Sequence, residues 1–216
     1  MSPISLTRRN PRILNLATIT FLLFIVTALC LSANASAAEQ TVPAWQIVPD
    51  ESRLGFTSNY GGVAFDGQFK KYTAKILFDP KNPEAGSFNV NIDTTSITTY
   101  SSERDSVIGD PEWFNFSKFP TSTYVTKSIK AVSGNKFVAI GTLDLKGHKK
   151  DVTLNFTWDA YPNGDVKVEG EAKMLADANV KRTDFDIGSG TWKDDDTIGF
   201  NVKVKIRLLL KKATGN

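Results

Sequence analysis

From Trp45 onward, apolar and polar residues alternate with a period of two, the pattern of strands that have one dry and one wet face. Leu54, Phe56 and Tyr60 alternate with Arg53, Thr57 and Asn59, and Phe65, Gly67 and Phe69 continue the pattern. After Lys70 and Lys71 the phase slips by one, and Tyr72, Ala74, Ile76 and Phe78 take over. A slip inside one long run predicts a β-bulge or sharp bend of the kind that coils a sheet into a barrel. The alternation returns in Phe88, Val90 and Ile92, in Phe137 to Leu145, in Val152 to Trp158, in Val166 to Met174 and in Ile198 to Leu208. The opposite face carries Lys167, Glu169, Glu171, Lys173, Lys203, Lys205 and Arg207, and Tyr124 to Ala131 reads as a less regular strand. Turn signals separate the runs at Asp79 to Gly86, Ser133 to Asn135, Lys146 to Lys149 and Tyr161 to Asp165.

About eight long strands with one consistently apolar face predict an all-β fold, an antiparallel up-and-down barrel, with a sandwich as the alternative. An eight-stranded barrel stands at the size where side chains either fill the interior or leave room for one small ligand. Gly67, Ala74, Ala139, Gly141, Gly170 and Ala172 interleave with bulky residues on the dry face. They either open a lengthwise cavity or only ease strand coiling and taper. A cavity would be lined by Phe56, Phe65 and Phe69, by Tyr72, Ile76 and Ile92, by Phe137, Leu143, Phe156 and Trp158, by Val168 and Met174, and by Phe200 and Val204. Such a lining suits a long apolar guest, since each buried CH₂ contributes up to about 0.8 kcal/mol.

One stretch, Thr94 to Tyr124, breaks the alternation. Ser101 or Ser102 can cap a short helix reaching Ile108, with Glu103 in its first turn, and Pro111 opens a second turn carrying Trp113, Phe114 and Phe116. The segment predicts a helical insert around residues 101–116, packed across the barrel with its aromatics closing the interior.

The N-terminus reads as an address. Arg8, Arg9 and Arg12 precede the apolar core Phe21 to Leu31 and the small residues of ANASAA, as in a secretory signal peptide cleaved after Ala35, Ala37 or Ala38. Residues 1–37 are therefore expected to be removed and 44–212 to form the working domain, exported to the periplasm. An uncleaved anchor, a lipoprotein site at Cys30 and a twin-arginine signal at Arg8 and Arg9 are the weaker alternatives. Loss of the leader takes three arginines from 26 Lys+Arg against 23 Asp+Glu, so the processed chain balances 23 bases against 23 acids. Nothing in that balance favours nucleic acid as a partner. Cys30, the only cysteine, is lost with the leader.

Catalytic parts are missing. His148 is the only histidine and sits in a turn-like KGHKK, so a zinc site of ordinary ligands cannot be assembled. No G-x-S-x-G, Walker or G-x-G-x-x-G motif occurs. Asp194, Asp195 and Asp196 read as a solvated hairpin turn. Glu103, Asp105, Asp110 and Glu112 could pair as in a hydrolase, but nothing in their spacing demands it. The expectation is a protein that is not an enzyme and has no metal and no cofactor.

Five blocks in order carry a family resemblance. WQIVPDESRLGF, with Trp45, Asp50, Ser52 and Phe56, resembles the opening of the YceI-like, polyisoprenoid-binding proteins. GQFKKYTAKILFDPKNPEAGSFNVNIDTTSITT, SERDSVIGDPEWFNFSKFPTSTY, GTLDLKGHKKDVTL and VKRTDFDIG are similar to the blocks that follow, through to about Leu210. Glu51, Arg53, Asn115 and Asp186 depart from the common pattern, Asp186 standing where a glycine is usual. The resemblance implies a lipocalin-like, eight-stranded antiparallel barrel. It also implies an exported, often stress-associated protein, monomer or homodimer, that encloses a long amphiphile such as an isoprenoid quinone, a polyprenyl phosphate or a fatty amide. Membrane contact would be transient. Arg104 and Arg182, each in a family-like block, could meet a polar headgroup or serve as structural ion-pair partners.

Overall fold

The computed structural model describes residues 42–160, 170–194 and 196–213. The strands in chain order are β1 Ala44–Ile47, β2 Arg53–Tyr60, β3 Val63–Phe69, β4 Tyr72–Leu77, β5 Ser87–Asp93, β6 Ile97–Thr98, β7 Thr121–Ser133, β8 Lys136–Leu145, β9 His148–Asp159, β10 Glu171–Lys181 and β11 Asn201–Lys212. They pair antiparallel in the order β1-β4-β5-β7-β8-β9-β10-β11-β2-β3-β6, and β1 returns to β11 to close the ring. Three walls are each made of two strands. A 3-10 turn at Pro49–Glu51 divides β1 from β2, the phase slip at Lys70 and Lys71 divides β3 from β4, and a 3-10 turn at Thr94–Ser96 divides β5 from β6. The result is a closed antiparallel barrel of eight walls, lipocalin-like, and closure excludes the sandwich.

Alternation places the side chains. On β11, Lys203, Lys205 and Arg207 are exposed, whereas Leu208 and Leu210 are buried. A charged outer face cannot stand against lipid hydrocarbon, so this barrel is wet outside and dry within. The irregularity read at Tyr124 to Ala131 is real: β7 shifts register between Thr126 and Ser128 and again between Ala131 and Ser133. β10 runs on to Lys181, where its inward residues are only Ala176, Ala178 and Val180, too weak an alternation to be read in the sequence. Val166, Lys167, Val168 and Glu169 lie outside the described residues, as does the turn at Tyr161 to Asp165.

Aromatic packing fills one end of the barrel. Phe78, fully buried, has ring centroids of Phe137, Phe156 and Trp158 at 5.1, 5.4 and 4.7 Å. Phe137 stacks on Phe156 at 5.3 Å, and Trp45 meets Trp158 edge-on at 5.0 Å. Such pairs add about 0.5–1.5 kcal/mol each beyond area burial.

The other end carries two covers. The first is the predicted insert. Helix α1, Ser102–Val107, is capped by Ser101, whose Oγ accepts from the Arg104 amide at 3.4 Å. Asp105 ties the insert down: its carboxylate accepts from the Thr98 hydroxyl at 2.7 Å, the Thr99 amide at 2.7 Å and the Thr99 hydroxyl at 2.6 Å. Burial alone would raise its pKa, but these bonds, with the nearby Arg104 charge, bring it below the ordinary carboxylate value. Beyond α1 the chain turns through Asn115 at φ +50°, a left-handed conformation that asparagine tolerates.

The second cover is the loop that follows β10, organised by Arg182, which is 3% exposed. Its guanidinium lies within hydrogen-bond distance of six backbone carbonyls, those of Ile187, Gly188, Trp192, Asp194, Ile198 and Gly199, at 2.7–3.2 Å. Asp186 takes φ +53°, which accounts for the usual glycine there. Its carboxylate meets the buried Lys146 ammonium at 3.1 Å.

Two outcomes follow from the covers. Arg182→Lys strands several carbonyls that an ammonium cannot reach together, and should destabilise the fold by about 3 kcal/mol or more in urea denaturation. Because the folded-state pKa of Asp105 lies below the ordinary aspartate value of about 3.9, its contribution is fully present above that value and is lost as pH falls through the folded one. The stability difference between the natural protein and Asp105→Asn should therefore shrink on acidification below about pH 4, and a difference that stays constant there would refute the assignment.

Candidate functional site

Between the aromatic end and the covers lies a cavity of about 330 Å³. Every wall contributes inward side chains: Leu54, Phe56, Ser58 and Tyr60 from β2, Phe65 and Phe69 from β3, Tyr72, Ala74 and Ile76 from β4, and Phe88, Val90 and Ile92 from β5. Tyr124 on β7, Leu143 on β8, Val152 and Leu154 on β9, Met174, Ala178 and Val180 on β10, and Val202 to Leu208 on β11 complete the ring. The six-residue spacing from Leu54 to Tyr60 sets a lined length of about 20 Å. Polar groups are few, with Ser58, Thr99, Ser122, Glu103, Arg104 and Arg182 as the main ones. The Tyr124 hydroxyl donates to the Val152 carbonyl at 3.3 Å, and burial, aided by the Asp151 charge, pushes its pKa up to about 12. It is a satisfied wall residue and stays neutral.

Of the residues read from the sequence as lining, Phe56, Phe65, Phe69, Tyr72, Ile76, Ile92, Trp113, Phe114, Leu143, Met174 and Val204 do face the cavity. Phe137, Phe156 and Trp158 do not; they share the inward face but are locked in the aromatic end, below the open space. Phe200 is also outside the lining. It precedes β11, and the Lys181 ammonium and Arg182 guanidinium lie over its ring at 5.2 and 5.5 Å. Phe116 packs on the backbone of Gly109, where a Cβ would come within 2.4 Å of the ring, and reaches the site only through Phe114 at 6.2 Å. Val168 falls outside the described residues.

The small residues have a different role from making free space. A Cβ on Gly67 would stand 2.2 Å from the Phe56 ring and one on Gly141 2.6 Å from that of Tyr124, so both glycines seat an aromatic ring. Ala139 and Ala172 are fully buried in the closed-end core, and Gly170 occupies a turn at φ +83°. Only Ala74 of that set lines the cavity, together with Ala178, which the pattern did not single out. The space exists because strand ladders fix the wall radius, while bulky side chains fill one end alone.

The cover end holds the polar residues. Arg104 donates from Nε to the Thr99 hydroxyl at 3.1 Å and from Nη2 to the Thr99 carbonyl at 2.9 Å, with its guanidinium carbon 4.3 Å over the Phe65 ring. It reaches the cavity edge, beside Glu103. Arg182, the other candidate for headgroup contact, has its donors occupied by backbone carbonyls and stands as the hub of its loop. Trp192 was not read as a site residue because it sits in a polar, glycine-rich loop, yet it lines the cavity and meets Trp113 at 5.6 Å. Tyr60 and Val107 line the cavity and are 43% and 42% exposed, so the opening at this end lies between the β2–β3 turn and α1.

Known proteins share this architecture and sequence. The chain is 36% identical over 122 residues to Protein YceI of Salmonella arizonae and of Salmonella newport, a match covering 56% of this chain and 62% of each relative. The structure of Burkholderia cenocepacia BcnA superposes with a TM-score of 0.69 at 27% identity, covering 78% of this chain and 99% of that one. A polyisoprenoid binding domain from Saccharophagus degradans shares the fold at a TM-score of 0.59 and 18% identity, over 79% of this chain and 99% of that one. The family model of the YceI-like domain matches residues 45–210, which span both ends of the barrel, its cavity and both covers, and the chain belongs to that family.

Proposed function

We propose that this protein binds a long-chain isoprenoid or similar amphiphile noncovalently in the barrel, as an exported carrier or scavenger in the periplasm. The observation that carries the reading is the apolar cavity of about 330 Å³, closed by aromatics at one end and covered at the other. Transfer of apolar chain from water is the driving force, and each CH₂ contributes up to about 0.8 kcal/mol before association costs. The name of the Saccharophagus degradans domain, which shares the fold, agrees with an isoprenoid as the guest. The basic, apolar and small-residue succession in residues 1–38 supports export.

A binding role without chemistry is favoured by the state of Asp105, one of the two carboxylates of α1. Its oxygens are held by Thr98 and Thr99, and its lowered pKa makes it a poor proton donor near neutrality. Tyr60, Val63 and Val107, exposed around the opening, give the rim an apolar edge suited to brief contact with a bilayer during loading.

Native mass spectrometry of the protein purified without detergent, followed by solvent extraction, should show a stoichiometric long-chain guest. A mass that stays unliganded after incubation with quinones and polyprenyl lipids would sink the carrier reading. Trp113→Ala removes an aromatic from the cavity roof and should weaken lipid retention about tenfold, the equivalent of about 1.4 kcal/mol. Ala178→Phe should shorten the longest chain accepted by filling the interior. Unchanged retention in a folded Trp113→Ala protein would make the insert a cover that the guest does not touch.

A further inference from the structure

The wall between β1/β2 and β3/β4 is interrupted halfway up. β1 meets β4 at Ala44↔Leu77 and Trp45↔Ile76, and the ladder resumes only at Leu54↔Phe69, where β2 meets β3. Residues 46–53 and 70–75 therefore face one another without strand pairing. Pairing of β9 with β10 also stops early, at Asn155↔Asp177, but Val152 and Val180 pack there against the apolar cluster that includes Phe185 and Ile187.

The interruption at β1/β2 is a built feature. Ser52 Oγ lies within hydrogen-bond distance of both the amide and the carbonyl of Leu209, at 3.1 and 3.4 Å, and the Val48 amide donates to the same carbonyl at 2.9 Å. On the other wall of the gap, the Lys71 amide donates to Ser96 Oγ at 2.9 Å and the Asp93 amide donates to the Lys71 carbonyl at 3.0 Å, both toward the β5/β6 side. Each interrupted wall is thus tied to its outer neighbour, β1/β2 to β11 and β3/β4 to β5/β6, on either side of the gap.

A second cavity, of about 160 Å³, occupies this gap. Phe69 and Tyr72 line both it and the main cavity; apart from Pro49, the rest of its lining is polar or cationic, Ser52, Arg53, Gln68 and Lys70. Arg53 is steadied by Tyr100, donating from Nη2 to the hydroxyl at 3.1 Å with its guanidinium carbon 5.9 Å from the ring centroid. Among the described residues neither Arg53 nor Lys70 is in an ion pair. Asp50 and Glu51, on the turn before Ser52, are not part of the lining. The half-buried Tyr72 hydroxyl makes no hydrogen bond among the described residues, and burial raises its pKa, so it remains a donor at neutral pH.

We infer that this side gap binds an anionic phosphate or diphosphate headgroup of the guest, whose tail passes between Phe69 and Tyr72 into the barrel. The inference rests on the carrier reading above. A charged end cannot enter the apolar tube, and the gap offers it a guanidinium fork, an ammonium and neutral donors at the tube's own wall. The opening near α1 is a weaker place for an anion, because Arg104 already bonds Thr99, covers Phe65 and stands beside Glu103.

Calorimetric titration of the full chain with geranylgeranyl diphosphate, geranylgeraniol and inorganic diphosphate separates the outcomes. The natural protein should bind the diphosphate amphiphile at least about tenfold more tightly than the alcohol, as expected of charge-assisted hydrogen bonds. Inorganic diphosphate should bind far more weakly than either amphiphile. Arg53→Gln with Lys70→Gln should bring the affinity for the diphosphate amphiphile down to that for the alcohol, and Lys70→Gln alone should lose part of the preference. High salt should narrow it in the natural protein. A preference that survives the double variant, or that disappears in Arg104→Gln instead, overturns the headgroup site while leaving the carrier reading in place. Inorganic diphosphate binding as tightly as the amphiphile would make this a free-anion site and also overturn it. Failure of both geranylgeranyl compounds to bind the natural protein would overturn the carrier reading and the headgroup site together.

Discussion

Closure of the ring by β1 is the constraint on which the rest depends. This strand has four residues, yet it pairs with β11 at Trp45↔Lys212 through Ile47↔Leu210 and with β4 at Ala44↔Leu77 and Trp45↔Ile76. So short a ladder gains its strength from Trp45. The indole N–H donates to the Phe78 carbonyl at 2.8 Å, and the ring meets Trp158 edge-on. One side chain therefore joins the closing strand to the aromatic end. A closed ring has no exposed edge there, and its radius is set by backbone spacing rather than by side-chain volume. That is why an interior lined by large residues can remain open: the walls cannot collapse onto the space without breaking ladders.

Much of this was legible in the chain because strand period and burial are the same signal. The alternation gave the walls, the phase slip at Lys70 and Lys71 marked a true break, and Ser101 and Pro111 marked the insert. Whether an inward residue faces open space or packed core was not legible, since Phe137, Phe156 and Trp158 obey the same alternation as Phe56 and Tyr72 and differ only in height along the barrel. Height depends on register between strands distant in sequence, which period alone cannot supply. The glycines show the same limit: an empty Cβ position reads as room for a guest, whereas at Gly67 and Gly141 the room belongs to Phe56 and Tyr124. Trp192 was hidden for another reason, because a loop has no period to reveal which way its aromatic turns.

The two ends of the barrel are held by different forces, and their responses to conditions differ accordingly. The closed end is aromatic contact and apolar burial, insensitive to salt and pH. The covers are held largely by hydrogen bonds of a few charged groups: Arg182 donates to its carbonyls, and Asp105 accepts from Thr98 and Thr99. Hydrogen bonds of this kind are directional and are lost together when one partner is displaced, which makes the covers the part of the molecule with the lower free energy of opening. Exchange of a guest is therefore expected at the upper half of the barrel, away from Phe78.

A binding tube for amphiphiles must reconcile an interior that excludes charge with a cargo that has a polar end. Leaving that end in water at the opening is one solution; breaking a wall is another, and it carries a cost, because each unpaired amide or carbonyl beside an apolar space is destabilising by about 1–3 kcal/mol. Here the two walls that border the break are each held to their outer neighbours by a serine hydroxyl, Ser52 to Leu209 of β11 and Ser96 to Lys71 from the β5/β6 side. Ser52 stands in the gap's lining on one wall and is directly followed by Arg53, and on the other wall Lys70 directly precedes Lys71, whose amide Ser96 holds from the far side. The residues that keep the gap open and those that give it positive charge are thus neighbours in the chain, so the same short segments both interrupt the barrel and make the interruption hospitable to an anion.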